Sequence, residues 1–220
     1  MANSIAIDGP AGAGKSTIAK IVSKKLGFIY IDTGAMYRAM AVHMIRCGVN
    51  CENEAEIEAN IDSADISIAY ENGEQVVYLN GENVNSKLRT EEVSQMASVS
   101  SANAKVRAKL VELQQKQAET TDVVMDGRDI GTVVLPNSKL KVYLTASSRV
   151  RAERRYKENI EKGMECDLDE IEKDIIERDH RDMTRANSPL KKADDAVEVD
   201  SSYMTIEEVA DKIIELYESR

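Results

Sequence analysis

The chain has 220 residues and a formal net charge of −10, from 39 Asp and Glu against 29 Lys and Arg. A chain of this length builds one domain, or one domain carrying an inserted lobe, around a substantial core. The acidic balance argues against a general nucleic-acid binder or membrane-surface binder, because both need a basic face.

The three cysteines, Cys47, Cys51 and Cys166, show no metal-ligand spacing. They are typical of reduced thiols in a cytoplasmic protein. No apolar run approaches the length of a membrane span, and the first residues read as a strand rather than a signal peptide. We therefore expect a cytoplasmic monomer that binds neither nucleic acid nor a membrane.

The first segment of the chain predicts a strand, a glycine-rich loop and a helix. Ser4–Asp8 reads as a short buried strand, and apolar residues from Ile18 to Leu26 follow helical spacing. The loop matches the phosphate-binding pattern G-x-x-x-x-G-K-[ST] and consists of Gly9, Pro10, Ala11, Gly12, Ala13, Gly14, Lys15, Ser16 and Thr17. Glycines let backbone N–H groups surround phosphate oxygens, and the helix start adds unpaired N–H donors. We expect Lys15 to reach the terminal phosphates of ATP or GTP, and the Ser16 hydroxyl to ligate Mg²⁺.

A small antiparallel lobe is predicted within residues 49–89. It follows a second strand at Phe28–Asp32 and a helix that ends near Gly48. The pairs Asn72-Gly73 and Asn80-Gly81 separate three short runs of strand-forming residues. Asn-Gly is a strong hairpin signal because both residues tolerate positive φ. We expect these runs to form a small three-stranded lobe inserted in the chain.

The rest of the chain alternates between strands and helices. Residues 90–119 are helical in composition, with a break near Ser100-Ser101, and further strands are expected at 123–126, 141–144 and 196–200. An amphipathic helix closes the chain. This alternation predicts a five-stranded parallel sheet with helices on both faces and ligands at the carboxyl ends of the strands.

Seven arginines lie between positions 149 and 185 of this acidic chain. Helical spacing places Arg178, Arg181, Asp182 and Arg185 on one face, and Arg151 and Arg155 on another. These faces either are solvated and paired with nearby Glu, or bind phosphate, which the planar guanidinium grips at two points. Asp129 likewise either forms an ion pair with the adjacent Arg128 or contacts a ligand.

Four segments together resemble the bacterial cytidylate kinases of the nucleoside monophosphate kinase family. They are DGPAGAGKST at 8–17, DTGAMYR at 32–38, DGRDIGTVV at 126–134 and ERDHRDMTR at 177–185. The resemblance implies one α/β phosphate-loop kinase domain over residues 1–220. Residues 49–89 would then be the monophosphate-side lobe, and residues 149–185 an Arg-rich lid with the helix after it.

The resemblance also implies an activity, namely Mg²⁺-dependent transfer of the γ-phosphoryl group of ATP to CMP or dCMP. The implied catalytic residues are Lys15, Arg128, Arg155 and Arg185. The implied contacts are Arg38, Arg128 and Arg185 with the CMP phosphate, Thr33, Ser98, Arg107 and Asp129 with cytosine, Arg178 and Asp182 with the sugar, and Arg151 and Arg155 in the lid.

Two other functions remain open on the residues alone. One is a kinase for a different small acceptor, such as another nucleotide or a sugar acid. The other is a GTP-dependent switch, although the guanine-reading sequence Asn-Lys-x-Asp is absent. The residues also do not decide whether Asp8 or Asp126 lies nearer the metal.

Overall fold

A computed structural model describes residues 2–71 and 73–220. The chain divides into two compact units. The first combines the residues up to Tyr30 with Ala118–Arg220, and the second is Ile31–Gln117. The second unit contains the predicted 49–89 segment and extends beyond it at both ends.

The bounds of the elements follow the predicted alternation. The strands are β1 (Ser4–Asp8), β2 (Ile29–Asp32), β3 (Ile66–Glu71), β4 (Glu74–Leu79), β5 (Glu82–Asn83), β6 (Val123–Gly127), β7 (Leu140–Thr145) and β8 (Val197–Asp200). The α-helices are α1 (Lys15–Leu26), α2 (Thr33–Arg46), α3 (Glu54–Ile61), α4 (Glu91–Ser100), α5 (Ala104–Ala118), α6 (Ser148–Glu161), α7 (Leu168–Thr184) and α8 (Ile206–Glu218).

A five-stranded sheet has the order β2-β6-β1-β7-β8. Strand β1 runs parallel to β6 and β7, and β7 runs parallel to β8. The register places Ile7 opposite Asp126, and Asp8 opposite Gly127. The α/β class and the five-stranded parallel sheet are therefore confirmed, and the carboxyl ends of β1 and β6 lie side by side.

The core of the first unit lies between this sheet and two helices. Ile5 and Ile7 of β1 are fully buried together with Val22 of α1 and Ile213 of α8. Alternate residues of a strand face opposite sides, yet Ile5, Ala6 and Ile7 all have zero exposure. Burial on both faces is what a central parallel strand requires.

The second unit contains a three-stranded antiparallel sheet of order β3-β4-β5, as predicted. The turn between β4 and β5 uses Asn80 and Gly81, with φ of 51° and 79°, which is the backbone that the Asn-Gly signal predicts. In the other predicted turn, Gly73 has φ of 81°, whereas Asn72 lies outside the described residues.

The antiparallel sheet shares its core with the helices of the second unit. Val77 and Leu79 belong to the same buried cluster as Met40 of α2 and Leu110 of α5. The three strands therefore form one wall of that core, and removing them would expose it.

Three elements were not expected from the sequence. They are the helix α3, a 3-10 turn at Asn85–Lys87 and a π-helix at Ile130–Val134. The break expected near Ser100-Ser101 is confirmed, since α4 ends at Ser100 and α5 begins at Ala104.

None of the described helices combines the length and the hydropathy that crossing a bilayer would require.

Candidate active site

The glycine-rich loop joins β1 to α1 in the first unit. Gly9, Gly12 and Gly14 have φ of 151°, 76° and 85°, a region that other residues rarely adopt. A Cβ on Gly9 would lie 2.0 Å from the carbonyl oxygen of Leu144, so only glycine fits there. Gly14 is the N-cap of α1 and has no side chain to cap it. The loop thus leaves backbone N–H donors of the first helical turn available to a ligand.

Lys15 is buried at the start of α1, and its Nζ donates to the carbonyl oxygen of Pro10 at 2.7 Å. Burial, together with the charges of Arg128 and Arg178, lowers the pKa of Lys15 to about 7 against the opposing effects of Asp126 and Asp8. An ammonium held in such surroundings is stabilised when an anion enters. The polyphosphate of a nucleotide is an anion of this kind.

Asp126 at the end of β6 lies next to Ser16. The Ser16 hydroxyl donates to Asp126 Oδ2 at 2.9 Å, and the Tyr30 hydroxyl donates to Oδ1 at 2.8 Å. A hydroxyl beside a carboxylate is an oxygen donor set that suits Mg²⁺.

Asp8 at the end of β1 has different surroundings. Its two carboxylate oxygens accept the backbone N–H groups of Ile130 and Gly131, at 2.8 and 2.7 Å. Burial, with a smaller contribution from the nearby charge of Asp129, nevertheless raises the pKa of Asp8 to about 6. Asp8 therefore holds the start of the π-helix.

Three predicted arginines surround Asp182 of α7. Arg128 donates Nε–H to Asp182 Oδ2 at 2.8 Å, and Arg185 Nη1 lies 3.9 Å from Oδ1. Burial alone would raise the pKa of Asp182, but the charges of Arg128, Arg178 and Arg185 outweigh burial and lower it. The structure therefore brings these four residues together, and the effects of Arg128 and Arg178 on Lys15 place the group near the loop.

The two predicted lid arginines of α6 differ from each other. Arg151 is buried and donates to the carbonyl oxygens of Ala146 and Ala11 at 2.9 and 2.8 Å, and to Asp179 Oδ2 at 2.6 Å. Arg155 is exposed and has no hydrogen bond or ion pair with any residue that the structure describes. Arg151 thus binds the glycine-rich loop itself, whereas Arg155 extends into solvent.

In the second unit, the start of α2 carries Thr33 and Arg38. Thr33 is buried as the first residue of the helix. The Asp32 carboxylate caps the helix through the N–H of Ala35 and accepts Arg38 Nη2 at 2.9 Å. The buried Nε of Arg38 has no hydrogen-bond partner among the described residues. A buried guanidinium N–H is a donor available to an anion.

Ser98 and Arg107 lie on either side of the junction between α4 and α5. The carbonyl oxygen of Ser98 accepts the Ser101 hydroxyl at 3.0 Å. Arg107 is buried, donates to the carbonyl oxygen of Ser101 at 3.1 Å and lies 5.3 Å from the ring centre of Tyr37. Asp129 lies in the first unit, where it is buried immediately before the π-helix.

Sequence reasoning missed three residues that shape these sites, namely Tyr30, Asp32 and Asp179. Asp32 carried a signal, since an Asp directly before a helical pattern is a common N-cap. Tyr30 and Asp179 had no such sequence signal, because their partners Asp126 and Arg151 are distant in the sequence.

A protein-family model described as cytidylate kinase matches residues 5–219 of the chain. The chain belongs to the cytidylate kinase family. Among curated proteins, the cytidylate kinase of Listeria monocytogenes serotype 4a (strain HCC23) is 54% identical over 215 residues, which cover 97% of this chain and 95% of the relative. The cytidylate kinase of Halalkalibacterium halodurans is 49% identical over 210 residues, or 96% of this chain and 95% of the relative.

Solved structures resemble the fold of this cytidylate kinase family member at low sequence identity. An uncharacterised protein from Eubacterium ventriosum has a TM-score of 0.55 at 12% identity, with full coverage of both chains. A gluconokinase from Sinorhizobium meliloti has a TM-score of 0.51 at 15% identity, covering 99% of this chain and 94% of the other. The resemblance seen in the sequence is thus confirmed: the chain is an ATP-using phosphotransferase of this family.

Proposed function

We propose that this chain transfers the γ-phosphoryl group of ATP to CMP or dCMP, giving ADP and the nucleoside diphosphate. One observation carries the chemistry. Lys15 on the glycine-rich loop lies within electrostatic reach of Arg128 and Arg178. Phosphoryl transfer needs positioning and charge neutralisation more than covalent catalysis. Membership of the cytidylate kinase family supports cytidylate as the acceptor.

On the donor side, residues Gly9–Thr17 bind the triphosphate and Lys15 neutralises the β/γ oxygens. Ser16 and Asp126 would hold Mg²⁺, and the hydrogen bond between them supports this choice. Asp8 is the less suitable ligand because both of its oxygens accept backbone N–H groups. When bound, Mg²⁺ supplies positive charge to the phosphate oxygens.

On the acceptor side, Arg38, Arg128 and Arg185 bind the phosphate of CMP. We assign Thr33, Ser98, Arg107 and Asp129 to cytosine, Arg178 and Asp182 to the sugar, and Arg155 to the transferring phosphoryl group as a mobile lid residue. Arg128 and Arg185 are already oriented by Asp182, which keeps their reorganisation on binding small.

The test is ADP release with CMP, dCMP, UMP, AMP and GMP, each with and without Mg²⁺. We expect Mg²⁺-dependent turnover of CMP and dCMP, with AMP and GMP inert. In the variant Lys15→Ala, kcat should fall by about 10²–10³, whereas Lys24→Ala, an exposed change on the same helix, should match the wild type. Equal turnover of AMP and CMP would reject the acceptor assignment.

We also infer a cytoplasmic monomer. The net charge of −10 disfavours self-association, and Cys47, Cys51 and Cys166 are free thiols, which suits a reducing compartment. Light scattering at the elution peak of a size-exclusion column should give the mass of one chain. A dimer mass at micromolar concentration would contradict this.

A further inference from the structure

Gln75 on β4 makes two hydrogen bonds to the backbone of one residue, Asp32. Its Oε1 accepts the N–H of Asp32 at 2.8 Å, and its Nε2 donates to the carbonyl oxygen of Asp32 at 3.2 Å. The primary amide thus satisfies both polar groups of the residue that precedes α2. Both residues lie in the second unit.

Gln75 is itself held in place by its own sheet. It lies opposite Tyr70 in the β3–β4 register. Asn85 donates Nδ2–H to the carbonyl oxygen of Gln75 at 3.0 Å, and its Oδ1 accepts the N–H of Val77 at 2.9 Å. A side chain on a strand bonded along both edges is a firm support for what it contacts.

Asp32 links the position of Gln75 to the orientation of Arg38. One carboxylate oxygen caps the helix at Ala35, and the other accepts Arg38 Nη2. The space around the guanidinium is small, since a Cβ on Gly34 would lie 2.9 Å from Arg38 Nη1. The orientation of Arg38 therefore depends on where the backbone of Asp32 is held.

We infer that Gln75 is a positioning residue for the phosphate of the acceptor nucleotide, acting through Asp32 on Arg38. This role rests on the proposed function, in which Arg38 binds that phosphate. Through this role of Gln75, the antiparallel sheet fixes the phosphate-binding end of α2 in addition to forming part of the core.

The chemistry of the amide suggests a graded set of variants. Gln75→Glu keeps an acceptor for the Asp32 N–H but loses the donor and places a carboxylate against the Asp32 carbonyl oxygen. Gln75→Ala removes both bonds. Glu74→Gln is the matched control, because Glu74 is an exposed neighbour on the same strand.

The experiment measures KM for CMP, KM for ATP and kcat in these variants, with thermal unfolding to compare their folds. For Gln75→Ala and Gln75→Glu we expect KM for CMP to rise by about three- to tenfold, the size expected for losing one or two hydrogen bonds. KM for ATP should stay within about twofold, because the bonds of Gln75 lie at the start of α2 and not at the glycine-rich loop.

Hydrogen exchange of the Asp32 and Ala35 amides provides the second readout. Exchange should accelerate most in Gln75→Ala, less in Gln75→Glu, which keeps an acceptor for the Asp32 N–H, and not in Glu74→Gln. The inference would be overturned if the Gln75 variants showed the same KM for CMP and the same Asp32 amide exchange as the control. A variant that raises KM for CMP and ATP equally, with a lower unfolding temperature, would also overturn it, because that pattern indicates general destabilisation.

CMP turnover by the wild-type protein distinguishes a failure of this inference from a failure of the proposed function. If the wild type turns over no CMP, the proposed function fails, and with it the role of Gln75 toward that phosphate. If CMP is turned over and only the Gln75 comparison fails, the kinase assignment stands and the positioning role is rejected.

Discussion

Asp8 and Asp126 occupy the ends of neighbouring strands but have different partners. Asp126 accepts two hydroxyl groups, whereas Asp8 accepts two backbone N–H groups at the start of the π-helix. Hydroxyl groups can reorient toward an incoming cation, while backbone N–H groups stay fixed. Under the proposed function, these partners favour Asp126 over Asp8 as the ligand of Mg²⁺, a distinction that the strand pattern does not contain.

The raised pKa of Asp8 predicts a pH-dependent stability. The unfolded carboxyl loses its proton near its ordinary value of 3.8, and the folded one near 6, so stability is lost as the pH rises through that window. Asp8→Asn lacks this titration. The unfolding free energy of the variant minus that of the wild type should therefore rise by about 2 kcal/mol when the pH is raised from about 4.5 to about 7.5.

Urea unfolding at the two pH values measures this change, and any constant cost of the Asn side chain cancels in the difference. The control is Asp195→Asn, since Lys141 lowers the pKa of Asp195. The Asp195 carboxyl loses its proton at or below pH 3.8 in both the folded and the unfolded state, so the difference between Asp195→Asn and the wild type should stay almost constant between the two pH values. A pH-independent difference for Asp8→Asn would contradict the prediction.

Asp129 is predicted to determine the preference for cytosine over uracil. A carboxylate accepts the exocyclic amino group of cytosine but repels the carbonyl oxygen that uracil presents there. Asp129 is buried, where an unpaired acceptor is costly. In Asp129→Asn, the preference for CMP over UMP should fall by about 1–3 kcal/mol, measured as the ratio of kcat/KM values.

The alternative role of Asp129, an ion pair with Arg128, predicts equal losses of kcat/KM for the two substrates. Arg128 already donates its Nε–H to Asp182, so the guanidinium does not need Asp129 to be held. Asp194→Asn, an exposed change, should leave the ratio unchanged. An unchanged ratio in Asp129→Asn as well would show that Asp129 does not contact the base.

At the scale of elements, α6 carries two arginines with separable effects. Arg151 forms a buried ion pair with Asp179 and binds two carbonyl oxygens, so Arg151→Ala should destabilise the protein by about 3–5 kcal/mol. Arg155 is exposed. Arg155→Ala should change stability by less than about 0.5 kcal/mol while lowering kcat by about 10².

Chemical denaturation and steady-state kinetics on both variants test this separation. Arg149→Ala is the control on the same helix. Arg149 is exposed, and its salt bridges to an exposed Asp169 and a partly buried Glu172 should contribute less than the buried pair of Arg151. A stable Arg151→Ala variant, or a fully active Arg155→Ala variant, would contradict the respective half of the prediction.

At the scale of the whole molecule, the proposed ligand residues fall in both units. The donor residues Gly9–Thr17 lie in the first unit, and the acceptor residues Thr33 and Arg38 lie in the second. We expect a non-hydrolysable ATP analogue with Mg²⁺ to slow amide exchange in Gly9–Thr17. CMP should slow exchange in Thr33–Arg38, because a ligand stabilises the segments that it contacts.

Mass spectrometry of exchanged peptides measures both patterns in the full chain. The start of α8, capped by Thr205 and Glu208, should be unaffected by either ligand and is the internal reference. Unchanged exchange of Thr33–Arg38 at saturating CMP would reject the acceptor assignment for that segment.

The sequence determined the elements whose signals are local. The glycine-rich loop, the Asn80-Gly81 turn and the strands of the five-stranded sheet were all predicted within a few residues. Glycine spacing, Asn-Gly pairs and apolar runs act through the backbone at their own positions, so no tertiary contact is needed to read them. The helix α3 was missed although a local signal was present, since Asn53 caps it and Glu56 donates its N–H to that side chain.

Only the tertiary structure decided the roles that depend on partners distant in the sequence. Asp8, more than 120 residues earlier, accepts the first N–H groups of the π-helix Ile130–Val134 and so fixes where this segment starts. Arg151 and Arg155 look alike in the sequence, yet only Arg151 meets Asp179 and the loop carbonyl of Ala11. Polar side chains take their function from the charge, burial and hydrogen-bond partners around them, and folding alone sets these surroundings.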